Sequence, residues 1–177
     1  MNIDLDTWVY ILHPRPVAVI VSGTWERYSA MPASWIMPVS RKPPMLAIAI
    51  VRSRYTYELI KEFREFVICV LSSANYKAVH FMGTVSGRKV NDKIGAAGLS
   101  KVRAKRIRAP IIGESLAVAE CEFVNDVKAG DHNIVIGKVL EVYKKRDVEV
   151  QDPGKYRPLL HIGKNLYTEP SEKVFRA

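Results

Sequence analysis

Uninterrupted apolar runs in this chain are of strand length. Val17–Val21, Met45–Val51 and Phe66–Leu71 each stop at a polar or turn-forming residue, and none approaches the roughly 18 residues needed to span a membrane as a helix. Short apolar runs bounded by turn signals read as buried strands. Two longer strands follow, Ala117–Val127 and His132–Tyr143, separated by the hairpin-like Ala129-Gly130-Asp131. Helical patterns are fewer. Residues 4–13 predict a short helix ended by Pro14 and Pro16, and Tyr55–Arg64 a second, capped by Ser53 or Thr56. Asn75–Met82 predicts a third, closed by Gly83. Tyr28–Ser40, crossed by two prolines, reads as an irregular edge strand or loop. Residues 83–110 lack clear periodicity and read as a functional loop, and the tail from Tyr167 reads as polar.

About six strands joined mostly by short turns predict an antiparallel β-barrel with short helices, not a βαβ sheet. The 177 residues suit one domain over 1–177. The Gly-x-Gly-x-x-Gly fingerprint is absent, so any nicotinamide binding is not of the Rossmann type. Acidic Asp4 and Asp6 stand where a secretory signal wants positive charge. Cys69 and Cys121 lie inside apolar runs and read as buried thiols, which fits a cytoplasmic protein, although a bridge between them stays open at this level. A single glutamine, Gln151, beside abundant Lys, Arg, Ile and Val is the bias of thermophile proteins.

The net charge of +9 suits nucleic acid or phosphorylated small molecules. The basic stretch Lys101–Arg108 has no aromatic residues interleaved for base stacking, which makes nucleic acid the weaker reading. Four segments could carry chemistry. In Met31–Ser40, small residues at Ala33 and Ser34 allow a planar ligand close to free backbone groups; an edge strand guarded by prolines explains the same pattern. Arg52-Ser53-Arg54-Tyr55-Thr56, at a strand end and helix start, combines arginine forks, hydroxyls and helical N–H groups, as a phosphate monoester requires; a plain helix cap is the alternative. Ser86-Gly87-Arg88 with Lys93 offers flexible amides beside cations, without Walker spacing, and equally suits a solvated loop. His132 after Gly130-Asp131 is either a proton donor or a turn histidine bonded to Asp131. No metal-ligand spacing and no hydrolase triad is present, and no residue is singled out as catalytic.

Taken in order, these segments resemble the flavin reductase-like family of FMN-binding split barrels, which includes flavoredoxins and ferric reductases. The resemblance runs from Val17–Ser22 through MPASWIMPVSRKPPMLAIAI, RSRYTYELI, EFVICVL and GTVSGRKVNDKIGAAGL. It ends with AVAECEFVNDVKAGDHNIVIGKVLEV, its most specific piece. It implies an antiparallel split barrel forming a homodimer with FMN near the interface. Carried over by position, it places Ala33, Ser34 and Trp35 at the isoalloxazine ring and Ile50, Val51 and Arg52 along the ribityl chain. Tyr55, Thr56, Ser86, Gly87, Arg88 and Lys93 fall at the phosphate. Relatives with Asn and Thr near Pro32–Ser34 differ here, so backbone amides would serve the ring edge. The implied activity is NAD(P)H-dependent reduction of flavin or ferric chelates, with NADH or NADPH as co-substrate. The alternatives are an FMN electron carrier reduced by a redox protein partner and, more remotely, a basic nucleic-acid-binding module.

Overall fold

The structure, a computed structural model, describes residues 4–175. After a 3-10 turn over Trp8–Leu12 come β1 (Arg15–Pro16), β2 (Ala18–Gly23), β3 (Tyr28–Ala33), β4 (Ile36–Arg41) and β5 (Pro44–Val51). Helix α1 (Tyr55–Phe63) leads to β6 (Glu65–Val70), α2 (Tyr76–Thr84) and the short α3 (Lys93–Ala96). Then follow β7 (Lys101–Arg103), β8 (Pro110–Ile112), β9 (Ala117–Ala129), β10 (His132–Lys144), β11 (Leu160–Gly163) and β12 (Leu166–Thr168).

Seven strands make one antiparallel sheet in the order β3-β2-β6-β9-β10-β5-β4. β3 and β4 lie at opposite edges of it, yet only Ser34 and Trp35 separate them in the chain. Three residue steps reach at most about 11 Å. The two edges must therefore face each other, and the sheet curls into a barrel whose split lies between β3 and β4. This is the antiparallel, β-dominated architecture expected. Tyr28–Ser40 is thus two edge strands rather than one irregular segment, and its prolines are tolerated because edge strands need not donate on their open side.

β2 and β6 show no polar alternation because both of their faces are buried. Val19, Val21, Val67 and Cys69 enter one core with Val79, Met82, Ile112 and Leu159. Ile20, Phe66 and Ile68 enter the other, inside the barrel, with Ile48, Ile50, Ile60, Phe123 and Val135. Full burial of each such aliphatic or aromatic side chain contributes about 1.5–3 kcal/mol. Both cysteines are free and buried, one in each core. Burial pushes the Cys69 thiol up to about 11 and the Cys121 thiol up to about 12.

The long β9–β10 hairpin turns at Gly130, whose φ of +62° suits a glycine in the first central position of a two-residue turn. Two bulges, at Ile136/Gly137 and Val139/Glu141, bend it around the barrel. Glu120, fully buried on β9, accepts from the N–H groups of Lys105 (2.8 Å), Arg106 (2.6 Å) and Ile107 (3.2 Å) and from the Tyr143 hydroxyl (2.8 Å). A buried carboxylate is tolerable only when satisfied this fully, and its bonds tie down the 104–109 segment.

Several local expectations are corrected. The N-terminal helix is a single 3-10 turn, and α1 has no side-chain cap: Arg54 occupies the cap position, while buried Thr56 donates to Ser29 Oγ at 2.9 Å. α2 continues through Gly83 to Thr84. Residues 83–110 contain α3, β7 and the first residue of its partner β8, and the tail adds β12, which joins β1 and β11 in a small separate sheet.

Candidate functional site

The split between the barrel edges opens into three adjoining cavities, and Arg54 lines all of them. The first, about 200 Å³, is bounded by the start of α1 (Ser53, Arg54, Tyr55, Thr56), the end of α2 with the turn Ser86-Gly87-Arg88, and Lys93. Lys93 is 3% exposed. Burial first, then the Arg54 guanidinium, pushes its ammonium down to about 8, and no carboxylate opposes them among the described residues. A buried cation without an acidic partner is costly, and an anion in this cavity removes that cost. The leading N–H groups of α1, which have no helical acceptors, add partial positive charge on the same side. Arg88 is strapped in place by an ion pair to Glu58, with its guanidinium 5.0 Å from the Tyr55 ring centroid. Gly87 packs so closely that a Cβ there would stand 2.6 Å from Ser29 Oγ and 3.2 Å from Tyr55 Cδ1. Only glycine leaves the wall of this cradle undisturbed.

The second cavity, about 160 Å³, is walled by Met31–Trp35, by Ala49, Ile50 and Val51 at the end of β5, and by Arg54 and His132. Here the chain crosses between the two edges, so its backbone is only partly engaged: the Trp35 carbonyl accepts from Ala49 N–H at 2.9 Å. The Trp35 ring stacks on His132, with centroids 4.8 Å apart and planes 23° apart. His132 Nδ1 lies 2.7 Å from Asp131 Oδ1, the blander of its two expected roles. The third cavity, about 320 Å³, extends past Pro32, Ala33 and Ser34 to His80, His161, Lys164 and Tyr167.

The structure therefore gathers eleven of the twelve expected residues into two joined cavities: Ala33, Ser34, Trp35, Ile50 and Val51 in one, and Tyr55, Thr56, Ser86, Gly87, Arg88 and Lys93 in the other. Arg52 lines none of the three. Its Nε donates to Asn133 Oδ1 at 2.7 Å, and Asn133 Nδ2 donates in turn to the Tyr57 hydroxyl and to Asp126. Burial works to raise the Asp126 carboxyl, but hydrogen bonds from Lys61, Tyr57 and Asn133 outweigh it and hold it near 2. Arg52 thus braces β10 against α1, and Arg54 takes the place in the groove. His80, His161, Lys164 and Tyr167 escape sequence reasoning because they reach the groove from α2 and from the small C-terminal sheet, far along the chain.

The basic stretch 101–108 is largely engaged. Lys105 pairs with Glu141 (3.6 Å), Arg108 with Glu65 (2.9 Å) and Lys101 with Asp92 (3.8 Å). An aromatic residue does meet it, from elsewhere in the chain: Lys101 Nζ and the Arg103 guanidinium lie 4.9 and 4.6 Å from the Trp25 ring centroid. Among the described residues no helix is long and apolar enough to cross a membrane.

Residues 11–169 match the profile of the flavin reductase like domain. The chain is 38% identical over 176 residues to an uncharacterized protein of Archaeoglobus fulgidus, covering 98% of each. The FMN-binding protein from Thermus thermophilus, solved with p-hydroxybenzaldehyde, superposes with a TM-score of 0.88 at 27% identity, over 100% of this chain and 97% of that one. Flavoredoxin from Methanosarcina acetivorans gives a TM-score of 0.86 at 25% identity, over 100% and 94%. With this fold and a profile match over nearly its whole length, the chain belongs to the flavin reductase-like family.

Proposed function

We propose that this single-domain chain holds one FMN in the groove and works as an NAD(P)H-dependent reductase of flavin or ferric chelates. The observation that carries the reading is the first cavity: buried Lys93 with no acidic partner, Arg54, the start of α1 and the Gly87 cradle together suit a phosphate monoester. Its connection to a cavity walled by Ala33, Ser34, Trp35, Ile50 and Val51 suits a planar ring. The FMN-binding Thermus thermophilus neighbour adds support. Bound FMN supplies a two-electron redox centre between a nicotinamide donor and an acceptor. The chain's own residues bind and orient. Lys93 and Arg54 neutralise the phosphate, Gly87 lets the backbone approach, and the partly engaged backbone at Ser34–Trp35 offers hydrogen bonds to the ring edge. No side chain is assigned as acid or base.

A homodimer in a reducing cytoplasm completes this reading. Free, buried thiols fit such a compartment, and an open apolar patch along β6, β9 and β10 suits a second copy. The test is anaerobic mixing of FMN-loaded protein with NADH or NADPH, following flavin absorbance at about 450 nm. Bleaching with either supports the reductase. A flavoredoxin neighbour at 25% identity favours a second reading, an electron carrier, and bleaching only by a reduced ferredoxin-like protein would select it. Colourless protein that binds no FMN but holds DNA or RNA with steep salt dependence would replace both with the basic-module reading.

A further inference from the structure

We infer that the third cavity, which shares Ala33, Ser34 and Arg54 with the flavin site, takes a small aromatic carboxylate beside the flavin. The inference uses the proposed flavin site only to say what the pocket adjoins. Its lining includes Arg54, Lys164, His80 and His161, and no acidic residue. Arg54, which the flavin reading gives to the phosphate, and Lys164 take part in no ion pair among the described residues, so Lys164 is the cation left for a second ligand.

The polar groups are fixed in advance. Lys164 sits at the β11–β12 turn with φ of 52°, and its carbonyl lies 3.0 Å from His161 Nε2. A carbonyl can only accept, so Nε2 carries the hydrogen. The His13 ring backs His161 edge-on at 5.1 Å, and Tyr10 seals the strand behind, where a Cβ on Gly163 would stand 2.9 Å from its Cε1. Tyr167 is held by His80, with Nδ1 to hydroxyl at 3.2 Å. Flat walls come from Pro32, Tyr167 and the two imidazoles, with Val17 and Ala33 adding apolar contact. At about 320 Å³ the space lies within the range of small-molecule pockets. A lysine and aromatic rings lining one pocket without a carboxylate suit a carboxylate carried on an aromatic ring.

The experiment titrates full-length protein, with and without FMN, with sodium benzoate, benzamide or inorganic phosphate, reading amide resonances of residues 161–167. Benzoate is expected to shift them, with benzamide and phosphate each at least about tenfold weaker. Lys164→Asn keeps a residue that tolerates the left-handed conformation and removes the cation; it is expected to weaken benzoate about tenfold. Tyr167→Phe removes only a hydroxyl and is expected to weaken it several-fold. Flavin fluorescence should show both variants binding FMN as the parent does. Absence of benzoate shifts, parent-like affinity in both variants, or equal binding of benzamide or phosphate would each overturn the inference. Benzoate binding by protein that takes up no FMN would leave the pocket standing and remove the flavin reading instead.

Discussion

Lys93 ties burial, electrostatics and ligand affinity together in one side chain. Its depressed pKa of about 8 acts in two directions. For folding without an anion, the unfolded chain binds the proton more tightly, so stability rises with pH from about 8 towards the unfolded lysine value of about 10.4. For anion binding the sign reverses, because deprotonation removes the charge a phosphate needs. FMN affinity of the flavin-free protein should therefore fall as pH rises through about 8, a range in which the phosphate is already dianionic. Lys93→Met should cost about tenfold or more in affinity and abolish that pH dependence. Fluorescence titration from about pH 7 to about pH 9.5 reads both; a flat parent profile would reject the role of Lys93. At this scale the sequence is only partly legible. Ser86–Lys93 could be located because glycine, hydroxyl and cations cluster locally. Which arginine of Arg52-Ser53-Arg54 faces the groove could not be, since Asn133, which captures Arg52, lies 81 positions away.

Among the elements, β2 and β6 could be read directly because burial on both faces leaves unbroken apolar runs, and the β9–β10 hairpin because its turn chemistry sits between long strands. β3 and β4 were hidden by Pro32 and Pro38, whose edge positions only the sheet order reveals. α3, β7 and β8 span three or four residues each, too few to show a period. The glycine at the Ile136/Gly137 bulge has a reason that becomes visible only in three dimensions: a Cβ there would stand 2.4 Å from Phe66 Cζ and 3.2 Å from Cys121 Cβ. Gly137→Ala should therefore destabilise the fold by about 1–3 kcal/mol through overpacking, lowering Tm by about 2–4 °C per kcal/mol in a domain of this size. Phe66→Leu in the same chain should recover part of that loss, a coupling that thermal melts of the two single variants and the double variant measure. Simple additivity would mean that the Phe66 contact is not what requires glycine at position 137.

For the whole molecule, closure of the barrel leaves one face unaccounted for. Past the core inside the barrel, β6, β9 and β10 carry Val70, Ala117, Ala119 and Val142, and with Ile68 and Val150 they border an apolar cavity of about 430 Å³. Val142 is 64% exposed and Val150 51%, in contrast to the tightly buried residues of the two cores. An apolar surface this exposed has no partner among the described residues. The proposed homodimer supplies one, because the self-complementary contact of a two-fold pair can cover the same patch on both copies. The expected mass by light scattering is then about 40 kDa, twice the 20.0 kDa of the chain. Val142→Glu places a charge where the second copy would desolvate it, and should bring the mass down to that of the single chain while leaving both cores folded by circular dichroism. A parent protein that is monomeric at micromolar concentration would reject the dimer. A Val142→Glu variant that stays dimeric would reject this face as its interface.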